Sequence, residues 1–144
     1  MDSENECIFC HIVAKTLPAH VVYEDDTVLA FMDISPASPG HTLLVTKHHY
    51  DNVLEALPED IAHVGRVSVA LAKAVRDAVG AEGIGLHQLN GAAAGQTVFH
   101  YHQHFIPQNT GETLEIHSRV SGDSEQIAKL AARIRGLLNT TKEP

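Results

Sequence analysis

The segment GQTVFHYHQHFIP, residues 95–107, decides which fold and which chemistry are expected of this chain. It places histidine at alternate positions: His100, His102 and His104. Because successive side chains of a β-strand point to opposite faces, these imidazoles should share one face, with roughly 6.5 to 7 Å between successive Cα atoms. The aromatic residues between and around them should pack on the opposite face. We therefore predict a strand over residues 97–107 with a reactive face.

Three imidazoles on one strand face have more than one interpretation. Imidazole is the commonest neutral metal ligand, so a metal site is the first, and an exposed polar face is the second. The loop NGAAAGQT, residues 90–97, favours a third interpretation. Its backbone amides, including that of Gly95, are unshielded by bulky side chains, and the side chains of Asn90, Gln96 and Thr97 add amides and a hydroxyl. Such groups suit phosphate oxygens, so a phosphate held there would face the imidazoles.

Length and composition indicate one globular domain over residues 1–144. We expect a core motif region at 1–110 and a C-terminal extension with a helix at 111–144. No apolar run reaches the eighteen or so residues that a membrane helix needs, so no membrane association is expected. The first six residues are acidic where an export signal would be basic and then apolar. The expected location is therefore the cytoplasm.

The charge of the chain bears on its partners. Ten Lys and Arg stand against eighteen Asp and Glu, which gives a net charge of -8. A chain of this sign repels a polyanionic backbone, so nucleic-acid binding is disfavoured. A single small phosphate ester remains possible, because local amides and imidazoles can hold it.

The pattern of apolar and turn-forming residues predicts an α+β domain with an antiparallel sheet, a long helix and a C-terminal helix. Apolar residues recur at helical intervals over 58–79, acidic residues occupy the first turn, and Gly80 follows the end. A second helical stripe follows Asp123, which with Gln126 resembles a capping pair. The other predicted elements are a short turn or helix at 7–16, a hairpin at 21–24 and 27–32, and strands at 41–46 and 83–89.

The motifs taken together resemble the histidine triad family, whose signature is His-φ-His-φ-His-φ-φ with φ apolar. The segments AFMDISP (30–36), GHTLLV (40–45) and KHH (47–49) also match family motifs in the same order. The resemblance runs from about Cys7 to Pro107.

Three positions depart from the pattern, and one position bears on the branch of the family. Gln103 replaces an apolar residue on the face opposite the imidazoles, where we expect an effect on packing rather than chemistry. Thr46 and Gln108 stand where relatives often have proline and arginine, and the latter bears on the leaving group. The third triad residue is glutamine in the nucleotidylyl transferases that act on sugar phosphates. His104 therefore implies the hydrolase branch.

The resemblance implies the roles of the site residues. His102 would attack the α-phosphorus of a nucleotide, and His104 would donate to the phosphoryl oxygens or to the leaving group. Asn90, Gly95, Gln96 and Thr97 would hold the phosphate.

The same resemblance assigns three residues outside the triad. Asp33 would accept hydrogen bonds from the ribose hydroxyls, and Ile34 would line the base pocket. His41 would support the catalytic imidazoles. A turn aspartate for Asp33 and a core histidine for His41 are the competing interpretations.

The sequence CIFCH, residues 7–11, fits a thiol redox pair, a haem attachment site or half of a zinc site. In relatives with such a pair, zinc is held by the two thiolates, the histidine of the Lys-x-His motif and the first histidine of the triad. The corresponding residues are Cys7, Cys10, His49 and His100. His48 is an alternative metal ligand to His49. A closed shell of four protein ligands implies a structural zinc rather than a catalytic one.

The expected function is that of a nucleotide hydrolase or transferase. It would cleave at the α-phosphate of a nucleoside phosphoramidate or a dinucleoside polyphosphate through a nucleotidyl-histidine intermediate. The expected ligand is a small nucleotide, taken to be a purine nucleotide. The resemblance implies a homodimer with the two sheets joined, and we expect the 58–79 helix at its interface. The alternatives are a non-catalytic, zinc-stabilised nucleotide sensor or scaffold, and a histidine-rich metal store.

Overall fold

A computed structural model describes residues 6–116 and 120–141 of the chain. The expectations for residues 1–5, 117–119 and 142–144 lie outside the described residues. Within the described part, the helices are α1 (Ile8–Val13), α2 (Pro58–Val79) and α3 (Ser124–Thr141). The strands are β1 (Val21–Glu24), β2 (Val28–Met32), β3 (Thr42–Thr46), β4 (Gly83–His87) and β5 (His102–Gln108). None of these helices is both long enough and apolar enough to cross a membrane.

The strands form one five-stranded sheet in the order β1-β2-β3-β5-β4. Every neighbouring pair is antiparallel, and the hairpin predicted from the sequence is the β1–β2 pair. The predicted α+β class with an antiparallel sheet is confirmed. The order brings β5 between β3 and β4, so the catalytic candidates lie near the middle of the sheet rather than at its edge.

The long helix α2 begins and ends where the sequence indicates. Pro58 occupies the first turn with Glu59 and Asp60, whose negative charges suit the positive end of the helix dipole. Gly80 ends the helix in the left-handed region, with φ of +76°, and its amide donates to the carbonyl of Arg76. Glycine adopts this conformation without the steric cost that a Cβ imposes.

The two faces of the sheet carry different layers. Helices α2 and α3 cover one face, where the larger core cluster contains residues such as Leu71, Phe105 and Ile134. The short α1 packs on the other face with Phe31, Leu43 and other residues of the second cluster. The carboxylate of Asp123 accepts hydrogen bonds from backbone amides of the first turn of α3, as the capping pattern predicts.

The strand that carries the histidines begins later than predicted. The sequence suggests a strand over residues 97–107, whereas β5 begins at His102. The reason is that hydrogen-bonding groups before this point serve other partners. The carbonyl of Thr46 lies 2.6 Å from Nε2 of His100, and the amide of Tyr101 donates to Tyr50 at 2.8 Å. His100 therefore precedes the ladder rather than belonging to it.

The polar residue Gln103 has a partner on the helix-covered face of the sheet. Its Nε2 donates to the hydroxyl of Ser68 at 3.0 Å, and that hydroxyl donates to the carbonyl of Val64 in α2. A buried amide without a partner costs roughly 1 to 3 kcal/mol, and a half-buried one such as that of Gln103 costs less, so the bond to Ser68 offsets the cost of a polar residue at this position. This departure from the family pattern lies on the face away from the imidazoles.

Candidate active site and metal centre

His102 and His104 lie on one face of β5. His102 pairs with Val45 and His104 pairs with Leu43 across the β3–β5 ladder. Residues that face each other in an antiparallel pair point to the same side, and Leu43 and Val45 belong to the smaller core cluster under α1. The two imidazole rings lie 5.0 Å apart between centroids. Both could therefore reach one small substrate group.

The proton of the neutral His102 ring is located by its main-chain partner. Nδ1 of His102 lies 2.7 Å from the carbonyl oxygen of His100. A carbonyl only accepts, so Nδ1 carries the proton and the ring donates it to His100. Nε2 is then the unprotonated nitrogen, which holds the lone pair that a nucleophile needs.

A second chain of hydrogen bonds locates the proton of His104. The backbone amide of Ala37 donates to Nδ1 of His41 at 2.9 Å, so the proton of a neutral His41 is on Nε2. Nε2 of His41 lies 2.9 Å from Nδ1 of His104 and 3.6 Å from Oδ2 of Asp33. Nδ1 of His104 is therefore an acceptor, and its Nε2 carries the proton. The two catalytic candidates have opposite tautomers.

Asp33 combines the two interpretations that the sequence allows. Its Oδ1 accepts a hydrogen bond from the amide of Ser35 at 2.8 Å, which is the bond of a turn aspartate. Its Oδ2 faces His41 at 3.6 Å, on the side of the histidine cluster. The neighbouring Ile34 is 67% exposed, so it is available for contact with a ligand.

The side chain of Asn90 builds the loop instead of facing a ligand. Its Oδ1 accepts from the amide of Val53 at 2.8 Å, and its amide group exchanges two hydrogen bonds with Gln88, at 2.7 and 2.8 Å. The phosphate contact that the sequence predicts for this side chain stays a prediction, and the bonds present in the structure serve the loop. Its polar atoms are engaged within the protein.

The same holds for Gln96, which is only 4% exposed. Its Oε1 accepts from the amide of Gly91 at 2.7 Å, and its Nε2 donates to the carbonyls of Asp51 and Val98. Backbone amides of the loop also bond within it, among them those of Gly95 and Gln96. The side chain of Gln96 therefore shapes the loop, and the expected row of open amides is partly closed. Thr97, by contrast, is exposed.

Four further residues form a cluster with the donor set of a metal site, defined here as the Cys/His centre: Cys7, Cys10, His49 and His100. Their ligand atoms, two sulfurs and two ring nitrogens, all lie within 4.8 Å of one another. The sulfur of Cys10 is 3.2 Å from Nδ1 of His49 and 3.4 Å from Nδ1 of His100. Two thiolates with two imidazoles suit a tetrahedral borderline ion such as Zn²⁺, so the residues fit the metal that the sequence implies.

The outer nitrogens of both histidines have fixed acceptors, as is usual for metal-ligating imidazoles. Nε2 of His100 lies 2.6 Å from the carbonyl of Thr46, and Nε2 of His49 lies 3.0 Å from Oδ1 of Asp51. Both contacts leave Nδ1 as the nitrogen directed at the cysteines. Burial lowers the pKa of His100 to about 4, so this ring is neutral at pH 7, the form that binds metal.

The sequence leaves open whether His48 or His49 faces the cysteines, and the structure distinguishes between them. His49 joins the cysteines, whereas the exposed ring of His48 packs on Tyr50 with 4.7 Å between centroids. Sequence reasoning also missed Asp51 and the amide of Ala37. An acidic residue two positions after a metal-ligating histidine is a signal that could have indicated Asp51; no comparable signal marks a backbone amide.

Comparison with known proteins agrees with this arrangement. The chain matches the HIT domain over residues 14–111. It is 46% identical over 110 residues to Protein hit of Bacillus subtilis, covering 75% of this chain and 74% of that protein. It is 34% identical over 131 residues to Adenylylsulfatase HINT3 of Arabidopsis thaliana, covering 91% of this chain and 66% of that protein. A Zn-bound histidine triad family protein from Mycobacterium smegmatis superimposes with a TM-score of 0.85 and 32% identity, covering 96% and 97% of the two chains.

Proposed function

Because this chain belongs to the histidine triad (HIT) family, whose members are nucleotide-binding hydrolases and transferases, we propose that it cleaves a bond at the α-phosphate of a nucleotide through an intermediate on His102. The substrate would be a nucleoside phosphoramidate or a dinucleoside polyphosphate. The proposal rests on the hydrogen-bond contacts of the two rings, from which we assign a lone pair to Nε2 of His102 and a proton to Nε2 of His104.

The first step is attack by Nε2 of His102 on the α-phosphorus. A bond forms between nitrogen and phosphorus while the bond from phosphorus to the amine or phosphate leaving group breaks. Water then cleaves the nitrogen–phosphorus bond, which releases the nucleoside monophosphate and restores the ring. Two steps with an imidazole nucleophile avoid direct attack by weakly nucleophilic water. The bond from Nδ1 to the carbonyl of His100 stabilises the positive charge that develops on the ring.

The role proposed for His104 is that of hydrogen-bond donor and general acid. Its Nε2–H would donate to a phosphoryl oxygen or to the leaving group as negative charge develops there. His41 assists because its Nε2–H occupies Nδ1 of His104 and keeps the proton on the opposite nitrogen.

Binding of the nucleotide is assigned to residues beside the histidines. The exposed hydroxyl of Thr97 would donate to the phosphate, on the loop that contains Gly95. Oδ2 of Asp33 would accept a hydrogen bond from a ribose hydroxyl, and the exposed side chain of Ile34 would contact the base, for which a purine is proposed. The role proposed for Asn90 and Gln96 is to shape this loop through their internal hydrogen bonds.

The Cys/His centre is proposed to bind one zinc ion as a structural metal. Cys7, Cys10, His49 and His100 would hold the ion and so tie α1 to the segments around His49 and His100, and a closed shell of four protein ligands would leave no position for substrate. The likeness to a Zn-bound relative and the fit of the four donors support this assignment. Reduced thiols are also what a cytoplasmic location, proposed here, would maintain.

A homodimer is proposed with α2 and the edge strand β4 at its interface. Val69 on α2 is 76% exposed and Leu86 on β4 is 46% exposed, so both present apolar surface to solvent in the single chain. Among the strands that the structure describes, β4 has a neighbour on one side only, and an open edge of this kind favours pairing with a second sheet. Sedimentation of the wild type and of Leu86→Asp tests this, with a monomeric variant expected.

The experiment that tests the proposed activity is a turnover panel. Nucleoside phosphoramidates with amine leaving groups and dinucleoside polyphosphates are incubated with zinc-loaded protein, and release of nucleoside monophosphate is measured. Turnover of either class supports the proposal. Binding of nucleotides without turnover would instead support a non-catalytic sensor or scaffold.

A further inference from the structure

Hydrogen bonds connect the Cys/His centre to two parts of the proposed active site, the nucleophile His102 and the glycine loop of residues 90–97. One of its ligands, His100, is bonded through its carbonyl to His102. Another ligand, His49, is bonded to Asp51, whose carbonyl accepts from Gln96 in the glycine loop.

The first connection runs through His100, which is held on both sides of its ring. Its Nδ1 lies 3.3 Å from the sulfur of Cys7, and its Nε2 lies 2.6 Å from the carbonyl of Thr46. The residue is completely buried. With the ring fixed in this way, the main chain at this residue has little freedom. Its carbonyl therefore stays 2.7 Å from Nδ1 of His102, which sets both the direction and the tautomer of the nucleophile.

The second connection runs from His49 to the glycine loop. Nε2 of His49 lies 3.0 Å from Oδ1 of Asp51, so a ligand of the centre fixes the position of this residue. The carbonyl of Asp51 accepts from Nε2 of Gln96, and Oε1 of Gln96 accepts from the amide of Gly91 at 2.7 Å. Gln96 is buried, so the start and the end of the loop are joined through one side chain.

We propose that the Cys/His centre is a positioning centre for catalysis, in which His100 orients His102 and the His49–Asp51 pair orients the glycine loop. The inference rests on the proposed function of His102 and the loop, and extends it. A metal that only ties α1 to the sheet would affect stability alone. A positioning centre would also change phosphate binding and the local order of the loop, although no ligand of the metal touches the substrate.

The first experiment compares zinc-loaded and metal-free wild-type protein with two probes, adenosine and AMP. Loss of the metal loosens the loop but leaves Asp33 in place, so AMP should lose about three- to tenfold in affinity while adenosine changes less than about twofold. Hydrogen exchange of the Gly91 amide should accelerate, with exchange in α2 and α3 unchanged. Equal losses for both probes, or unchanged exchange at Gly91, would overturn the proposal.

A second experiment uses Asp51, because metal-free protein could fail to fold. Asp51→Ala removes the acceptor of His49 from a partly exposed position, while Asp51→Asn keeps an oxygen there. The alanine variant should bind zinc about 10 to 100 times more weakly, exchange faster at Gly91 and lose single-turnover rate, and the asparagine variant should restore all three. An alanine variant that weakens zinc binding with unchanged exchange at Gly91 would contradict the inference.

These outcomes are separable from the proposed function. Probe binding and hydrogen exchange do not require turnover, so they decide the positioning role even for a protein that hydrolyses nothing. Turnover by the metal-free wild type at the zinc-loaded rate, with the protein folded, would overturn the positioning role and leave the proposed function intact.

Discussion

Nε2 of His41 lies 2.9 Å from Nδ1 of His104, and this contact gives two neighbouring catalytic candidates different chemical properties. The amide of Ala37 forces the proton of His41 onto Nε2, and His41 in turn forces the proton of His104 onto the nitrogen that faces away from it. His102, whose Nδ1 bonds to a carbonyl, has the opposite arrangement. One ring is therefore suited to attack and the other to donation.

The nucleophile is tested with His102→Asn, which keeps a polar side chain but removes the ring lone pair. Turnover of a nucleoside phosphoramidate should fall by a factor on the order of 10³ or more, while AMP affinity stays within a few fold. His48→Asn, a change to an exposed histidine that packs on Tyr50, is the matched control and should retain activity.

The covalent intermediate provides an independent check. Rapid quenching without acid should trap a nucleotidyl adduct on the peptide that contains His102 in the wild type and none in His102→Asn. An adduct on His104 or His41, or near wild-type turnover by the variant, would show that the mechanism is assigned to the wrong ring.

The role of His104 is tested by changing the leaving group. On a nucleoside phosphoramidate, His104→Asn should slow release of an aliphatic amine by roughly 10² to 10⁴, because an amine must gain a proton to leave. On the nitrophenyl ester of the same nucleotide, the variant should slow release of nitrophenolate much less, because that anion leaves without a proton. His41→Asn should show the same dependence with smaller losses, since it acts through His104. Equal losses for both leaving groups would indicate that His104 binds phosphate without donating a proton.

The metal ligands are tested by a pair of neighbouring substitutions. His49→Asn should reduce zinc content well below one ion per chain and lower the thermal midpoint, because metal binding contributes to the free energy of folding. His48→Asn should change neither, and Cys7→Ser should resemble His49→Asn. Metal analysis of protein purified without chelators measures the content. Full zinc content in the His49 variant would contradict the assignment.

The ribose contact is tested with Asp33→Ala. A hydrogen bond to a charged acceptor contributes about 1.5 to 3 kcal/mol, so ribonucleotides should lose about ten- to hundredfold in affinity. The matching 2′-deoxynucleotides should lose much less, because one hydroxyl is already absent. Calorimetric titration of both ligands with both proteins measures the difference. Equal losses of affinity for both ligands would mean that Asp33 has only a structural role in the turn, where its Oδ1 accepts from the amide of Ser35.

A hydrogen-bond cluster remote from the site predicts a pH-dependent contribution to stability. Oδ2 of Asp25 accepts from the hydroxyl of Tyr23 at 2.7 Å and lies 2.6 Å from Nε2 of His63 on α2. Burial by itself raises the pKa of Asp25, but the bonds from His63, Tyr23 and two backbone amides outweigh it and lower the pKa to about 2. The ionised carboxylate therefore stabilises the folded state above the ordinary pKa of an aspartate, and this contribution disappears as the pH falls toward 2.

Asp25→Asn should accordingly reduce the free energy of unfolding at pH 7 by about 1 to 3 kcal/mol. The difference from wild type should shrink as the pH is lowered from 5 to 2. Denaturant titrations at several pH values measure it, with the exposed neighbour Asp26→Asn as control. A difference that stays constant down to pH 2 would mean that the carboxylate charge makes no contribution.

Sequence reasoning was most successful where a local rule decides the outcome. The period of two along a strand is a property of the backbone, so the shared face of His102 and His104 follows from their spacing. The bounds of α2 are also decided locally. The ring of Pro58 fixes a φ angle that suits the first turn of a helix, and Gly80 adopts the left-handed conformation that ends it. The pairing of Cys7 with Cys10 in one site also follows from a four-residue motif.

Only the tertiary structure decided which side chains meet across the sheet. It directs His49 rather than His48 at the cysteines and begins strand β5 only after His100. It also engages the side chains of Asn90 and Gln96 in hydrogen bonds within the protein. These outcomes depend on acceptors contributed by residues distant in sequence or by main-chain atoms, such as the carbonyl of Thr46 beside His100. Spacing along a strand determines the face to which a side chain points. The hydrogen-bond partners that each polar atom finds elsewhere in the chain determine whether the side chain donates a proton, accepts one or binds a metal.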